Sequence, residues 1–392
     1  IMFKTLKDFD FKNKGVLVRC DFNVPLDEKG KILNDFRIEK SIATIEYLVQ
    51  KVAKVILISH LGRPEGKVVE SLRLTPVQEK LMEYLDLSVT RAPDCIGKDV
   101  EKYVSQMSVG EILLLDNLRF HKEEEANDDN FSRKLAGLGD FYVNDAFSAC
   151  HRAHASVVGI TRYLTSLAGL LLEKEVKVLS RVLENPWRPL VVIIGGAKIA
   201  DKIGVIEQFL QGADHLLLGG KIANTILQAK GIIVGKALPE PEVLKKIEKI
   251  EMTNPKLHLP VDGVISLEDA RDKDYLRVGG IGQVRKEESV FDIGPETIKV
   301  FSEVIKSAKM ILWSGPLGMF EEKRFEKGTK EVAQSIAKNL AAFKVAGGGD
   351  INLAISKFGL IDKFDHVSTG GGAMLEFLSG KKLPGLEALN LK

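Results

Sequence analysis

The sequence predicts an α/β fold, with parallel sheets in two successive halves, on three observations. Short and almost continuously apolar runs alternate with longer segments of helical period, as expected for strands covered on both faces. The scheme starts again after a break at Asn185-Pro186-Trp187-Arg188-Pro189, where two prolines end a helical pattern. The chain has 392 residues, and a domain per about 150 residues suggests two, or three.

In chain order, the spacing predicts a strand over 15–20 (GVLVRC), a helix over 38–49 and a strand over 54–59 (KVILIS). Strands follow over 111–116 (EILLLD) and 141–144 (FYVN), the last expected in this half. Residues 170–183 (LLLEKEVKVLSRVL) read as a helical spacer. Beyond it, strands are expected over 190–194, 215–218, 310–313 and 343–346. Neither heptads nor a 20–50-residue repeat stands out.

Composition narrows the function. Lys and Arg total 56 against 54 Asp and Glu, a net charge of +2, and 45% of residues are apolar. That is globular composition, without the basic excess of a nucleic-acid binder. No apolar run reaches the roughly 18 residues of a membrane span. The first residues lack a signal-peptide core, so a cytoplasmic location is expected. Cys20, Cys95 and Cys150 are odd in number and widely spaced, which supports neither a disulfide framework nor a zinc motif.

Ligands of open parallel sheets bind beyond the carboxyl ends of the strands, and there the halves differ. In the first, strands lead into Asp21, Phe22 and Asn23, then Arg37; into His60-Leu61-Gly62-Arg63; into Arg119; and into His151, Arg152 and His154. The planar guanidinium fork suits carboxylate or phosphate, so Arg37, Arg63, Arg119 and Arg152 form a candidate site for a small polyanion. His151 and His154 fit structural, orienting or acid–base roles equally. Arg19 lies within a strand pattern and reads as a packing residue.

The second half has glycines in those places: Gly195-Gly196 before Lys198 and Lys202, Gly219-Gly220, Gly315-Pro316 before Glu321, and Gly347-Gly348-Gly349-Asp350. Glycine lets backbone N–H groups approach phosphate, and a following helix N-terminus adds a favourable dipole. The lysines can neutralise phosphate, Asp350 can hold Mg2+, an oxygen-seeking ion, and Glu321 can accept from ribose hydroxyls. No G-x-x-x-x-G-K-[ST] is present, and Gly279-Gly280-Ile281-Gly282 lacks the closing glycine of a dinucleotide fingerprint.

Taken with their neighbours, these segments resemble the phosphoglycerate kinase family over essentially the full chain. The matching stretches are RCDFNVP (19–25), DFRI (35–38), SHLGRP (59–64), DNLRF (116–120), HRAHAS (151–156), GGAKIADKI (195–203), WSGPLGMFE (313–321), GGGD (347–350) and HVSTGGGAMLEFLSGKKLPGLEAL (366–389). The resemblance implies two Rossmann-like domains facing a central cleft, joined by a helix. The N-terminal domain would comprise 1–170 plus 373–392, the joining helix 171–185 and the C-terminal domain 186–372. It further implies a 3-phosphoglycerate site at Asp21, Phe22, Asn23, Arg37, His60, Leu61, Gly62, Arg63, Arg119 and Arg152. A nucleotide site is implied at Gly196, Lys198, Lys202, Pro316, Glu321, Gly348, Gly349, Asp350 and Ile351, with Mg2+ at Asp350. Arg37, Lys198, Gly371 and Gly372 would surround the phosphoryl group in flight.

Against the family pattern, Ser314 stands where Asn is common, Ile351 where Thr or Ser is, Met374 where Ser is, and Val290 where Gly is. The implied reaction is Mg2+-dependent transfer between 1,3-bisphosphoglycerate and ADP, giving 3-phosphoglycerate and ATP, in a monomer with no nucleic-acid or membrane partner. Transfer would be in line, after hinge bending at 170–185 or 368–370. In the reverse direction the nucleophile is a carboxylate and the leaving group a diphosphate; neither needs a general base, which suits a cationic site. The rival readings are a nicotinamide-dependent dehydrogenase, which lacks its fingerprint, and a non-catalytic nucleotide-binding module, which has no use for the arginines.

Overall fold

The structure, a computed structural model, describes residues 4–235, 240–248, 250–267 and 275–389. Its contacts divide the chain into two units, Ile1–Lys177 with Lys382–Lys392, and Val178–Lys381.

The first unit holds β1 (Gly15–Arg19), β2 (Lys54–Ile58), β3 (Val89–Arg91), β4 (Ile112–Leu114), β5 (Phe141–Asn144) and β6 (Thr165–Ala168). They form one parallel sheet in the order β3-β4-β2-β1-β5-β6. The helices are α1 (Phe36–Gln50), α2 (Thr75–Leu85), α3 (Lys98–Gln106), α4 (Lys122–Glu125) and α5 (Asp129–Ala136), while α6 (Leu170–Glu184) begins in this unit and ends in the other. On α1, Ile38, Ser41, Thr44, Ile45 and Leu48 are buried, the three-to-four spacing that turns one helical stripe inward. That stripe packs with Val16, Val18, Val55, Leu57 and Val143 of the sheet. Burial of each such side chain is worth about 1.5–3 kcal/mol. The turn at 52–53 is tight enough to place Val52 at φ 60°.

The second unit contains β7 (Leu190–Ile194), β8 (His215–Leu218), β9 (Leu257–His258), β10 (Asp262–Leu267), β11 (Arg277–Gly280), β12 (Glu288–Ile293), β13 (Met310–Ser314), β14 (Phe343–Gly347) and β15 (His366–Ser368). A second parallel sheet runs β15-β14-β13-β7-β8-β9, and a small antiparallel one runs β11-β10-β12. Its helices are α7 (Ile203–Gly212), α8 (Gly220–Ala229), α9 (Pro241–Ile247), α10 (Pro295–Ser307), α11 (Lys327–Lys338), α12 (Gly349–Lys357) and α13 (Gly372–Leu378). A last helix, α14 (Pro384–Leu389), belongs to the first unit.

The α/β class is thus as expected, with additions. The first half does not end its sheet at 141–144, because β6 follows. Strands β3, β6, β9 and β15 are two to four residues long and mix polar with apolar residues (VTR, TSLA, LH and HVS), so they lack the continuous apolar run of β2 or β7. The antiparallel sheet is a further addition, and it explains the weak glycine motif. Gly279 and Gly280 pair with Gly263 and Asp262 across an antiparallel ladder, so no strand–turn–helix unit exists there.

Candidate active site

Strand register sets the floor of the site in the first unit. Arg19 pairs with both Ile58 and Asn144, and Leu57 with Leu114. The four loops that leave β4, β2, β1 and β5 therefore start at one level, side by side. They carry Arg119, Arg63, the Asp21–Arg37 stretch and Arg152.

Within the loops, polar groups are fixed by short bonds. Arg37 Nη1 donates to Asp21 Oδ2 at 2.7 Å and to the Asn23 carbonyl at 3.3 Å. Asp21 is buried; it also accepts from the Asn23 N–H at 3.1 Å and from the Ser148 hydroxyl. Asn23 Oδ1 accepts the Gly62 N–H at 2.9 Å, tying the first loop to the second. Asn117 ties the second to the third: its Oδ1 accepts from Leu61 and Arg119 N–H, and its Nδ2 donates to the Leu61 and Leu72 carbonyls. Arg119 donates to the Gly62 carbonyl at 2.9 Å. Its buried Nε, 3.2 Å from a Glu125 oxygen, makes no hydrogen bond. Arg152 contacts the His151 ring, and Arg63 is exposed. Phe22 and Leu61 turn their side chains into the core, and their N–H groups are taken by Ser59 and Asn117.

The arginine charges act together on the neighbouring histidines. Burial pushes His60 well below the usual histidine range, and the charges of Arg19, Arg119 and Arg37 push it further. Burial, then Arg19, Arg119 and Arg152, lower His154 to about 3. Burial and the surrounding cations thus favour the neutral imidazole at both positions. Arg19 is buried as expected of a packing residue, bonded to Ser156 Oγ at 2.9 Å, to the Cys20 carbonyl and to His60 Nδ1 at 3.0 Å. An anion entering this region relieves the repulsion among the guanidinium groups.

In the second unit the same register logic holds. Ser314 pairs with Ile194, Leu218 with Ile194, and Gly347 with Ser368. The glycine loops leave this edge and lace together through backbone: Gly195 N–H to the Ser314 carbonyl, Gly196 N–H to Pro316, Gly220 N–H to Leu317. Gly315 has φ +88°, and a side chain there would strike Lys202 Nζ and the Gly195 carbonyl. Gly348 caps α12 at φ 125°, leaving the first-turn N–H groups without helical partners. Lys202 Nζ sits on the Gly195 and Ser314 carbonyls at 2.6 and 3.1 Å. Desolvation lowers it to about 8, against the charges of Asp350 and Asp201, so an arriving phosphate would favour its ammonium form. Lys198, Glu321, Gly349, Asp350 and Gly372 are exposed; Pro316 is buried. Gly371 has φ 51° at the start of α13.

The departures have local readings. Ile351 is fully buried in the core, and Met374 packs against Gly347. The buried Ser314 Oγ has no hydrogen-bond partner. Val290 belongs to a small cluster with Ile265 and Val234. Sequence reasoning missed Ser148, Asn117, and the buried carboxylates Asp116 and Glu124. Asp116 holds Arg73 and Arg91, and Glu124 accepts from Ser156. Single polar residues inside apolar surroundings give no signal until their partners are known.

A basic anion site on one parallel sheet and glycine loops with lysines on another are the working parts of a phosphotransferase that acts on a small acidic metabolite. The model of the family described as phosphoglycerate kinase matches residues 6–381. A phosphoglycerate kinase of Dictyoglomus turgidum is 47% identical over 391 residues, 99% of this chain and 98% of that one. One from Pelotomaculum thermopropionicum is 45% identical over 390 residues, 98% of each. The solved phosphoglycerate kinase of Coxiella burnetii superposes with a TM-score of 0.85 at 39% identity, covering 99% of both chains. That of Pyrococcus horikoshii gives 0.86 at 34%, covering 99% of this chain and 98% of that one. The chain belongs to the phosphoglycerate kinase family.

Proposed function

We propose that this chain carries out the family's reaction, transfer between 1,3-bisphosphoglycerate and ADP to give 3-phosphoglycerate and ATP, with a separate unit for each substrate. Arg37, Arg63, Arg119 and Arg152, with Asn23 and His60, hold the phosphoglycerate; Asp21 fixes Arg37, while Phe22, Leu61 and Gly62 shape the loop. Gly196, Lys202, Pro316, Glu321, Gly348, Gly349 and Ile351 frame the nucleotide. The reading is carried above all by the alignment of four arginine-bearing loops on neighbouring strands.

Asp350 suits Mg2+. It is an exposed hard-oxygen donor beside the free N–H groups of α12, and its charge reaches Lys202. When bound with the nucleotide, Mg2+ screens the phosphate charge that repels an incoming carboxylate. No proton moves in the transfer, so the side chains align reactants and neutralise charge. Lys198, Arg37 and the Gly371–Gly372 backbone take that task at the group in flight. Because one chain supplies both sets of residues, it needs no second copy and works as a monomer. Among the described residues no helix is long and apolar enough to cross a membrane.

A coupled assay with ATP and 3-phosphoglycerate tests the activity, and Lys198→Ala tests the site. Its kcat should fall by two orders of magnitude or more, roughly, while KM moves little, because the lysine acts in the transition state. An unchanged kcat removes Lys198 from the chemistry.

A further inference from the structure

Away from both anion sites, three donors of different chemistry meet in the first unit. Asp94 and Cys95 lie on the loop between β3 and α3, and His121 follows the short turn Leu118–Phe120 that carries Arg119. One ligand atom from each lies within 4.8 Å of the other two. We propose that Asp94, Cys95 and His121 form a site for a zinc-like divalent transition-metal ion.

The proton shared between Asp94 and His121 is one that such an ion would replace. Asp94 Oδ1 is 2.7 Å from His121 Nε2, and the Cys95 sulfur lies within 4.8 Å of a ligand atom of each. Binding sends the thiol proton to solvent and moves the imidazole proton off Nε2, whose lone pair then faces the metal. Thiolate and carboxylate balance the two positive charges, so the complex is neutral. Bonds of about 2.0–2.3 Å place tetrahedral donors roughly 3.3–3.7 Å apart, so the Asp94–His121 pair opens by less than 1 Å, roughly. Supporting contacts are present: the Cys95 N–H bonds Asp94 Oδ1 at 2.6 Å, and the His121 ring lies against Phe131 with centroids 5.4 Å apart. Cys95 is buried, while His121 and Asp94 are 25% and 44% exposed in their side chains, so an ion enters from the solvent side and keeps a water ligand. A sulfur–nitrogen–oxygen set favours zinc or cobalt over Mg2+.

Cobalt(II) titration of the nucleotide-free protein, followed by absorbance, tests this. A thiolate-to-cobalt charge-transfer band should saturate at one equivalent and be bleached by Zn2+. The rival His215–His258 pair, whose ring nitrogens are 3.0 Å apart, contains no sulfur and cannot give that band. Cys95→Ser should abolish it, and His121→Asn, at a part-exposed position, should weaken cobalt binding roughly tenfold or more. Absence of the band, its survival in Cys95→Ser, or unchanged affinity in His121→Asn overturns the proposal.

Discussion

Ser148 shows how far a single hydroxyl reaches into the anion site. It donates to Asp21, the carboxylate that holds Arg37. Loss of one hydrogen bond to a charged group costs about 1.5–3 kcal/mol, here divided between the stability of the loop and the aim of Arg37. Ser148→Ala should raise KM for 3-phosphoglycerate severalfold and leave KM for ATP alone; equal changes in both would mean that Ser148 serves general stability. For His60, burial first, then the charges of Arg19, Arg119 and Arg37, push the ring well below the usual histidine range, and its Nδ1 is fixed 3.0 Å from Arg19 Nη2.

At the scale of the element, strand ends and helix starts are where conformation and charge meet. Gly315 joins β13 to its loop at a φ that L side chains avoid, against Lys202 and Gly195. Gly315→Ala should lower stability by about 1–3 kcal/mol and raise KM for ATP, as read by denaturant unfolding and the coupled assay; an unaffected KM would detach this loop from the nucleotide. Asp292, at the end of β12, accepts N–H groups of Ile293 and of Gly328 in α11. Burial raises its carboxyl to about 7 despite those bonds. A folded value above the unfolded one means stability present below about pH 4 and lost as pH rises toward 7. Asp292→Asn cannot lose a proton. Relative to the parent it should therefore gain a few kcal/mol as pH rises from 4 to 7, whatever its constant offset. Parallel curves would show that Asp292 does not titrate in that window.

For the whole molecule, a net charge of +2 conceals a local concentration of cations on one sheet edge. Binding of a small anion there should depend on salt, since raising ionic strength from about 0.01 to 0.15 M shortens the screening length from about 30 to 8 Å. KM for 3-phosphoglycerate should rise severalfold over that range, and less in Arg63→Ala, whose guanidinium is the exposed one of the four. Salt-independence would mean that shape rather than charge holds the substrate. The sequence by itself determined the α/β class, the two-part repetition, the arginine and glycine loops and, by resemblance, the family, because apolar period, prolines and dense polar motifs are local signals. Only the tertiary structure decided that β4, β2, β1 and β5 are neighbours in register. It alone joined Asn117 to Leu61, Ser148 to Asp21, and Asp94 to His121. Those pairings span up to 127 residues of chain, and the burial and hydrogen bonding that select them exist only once the sheet has formed.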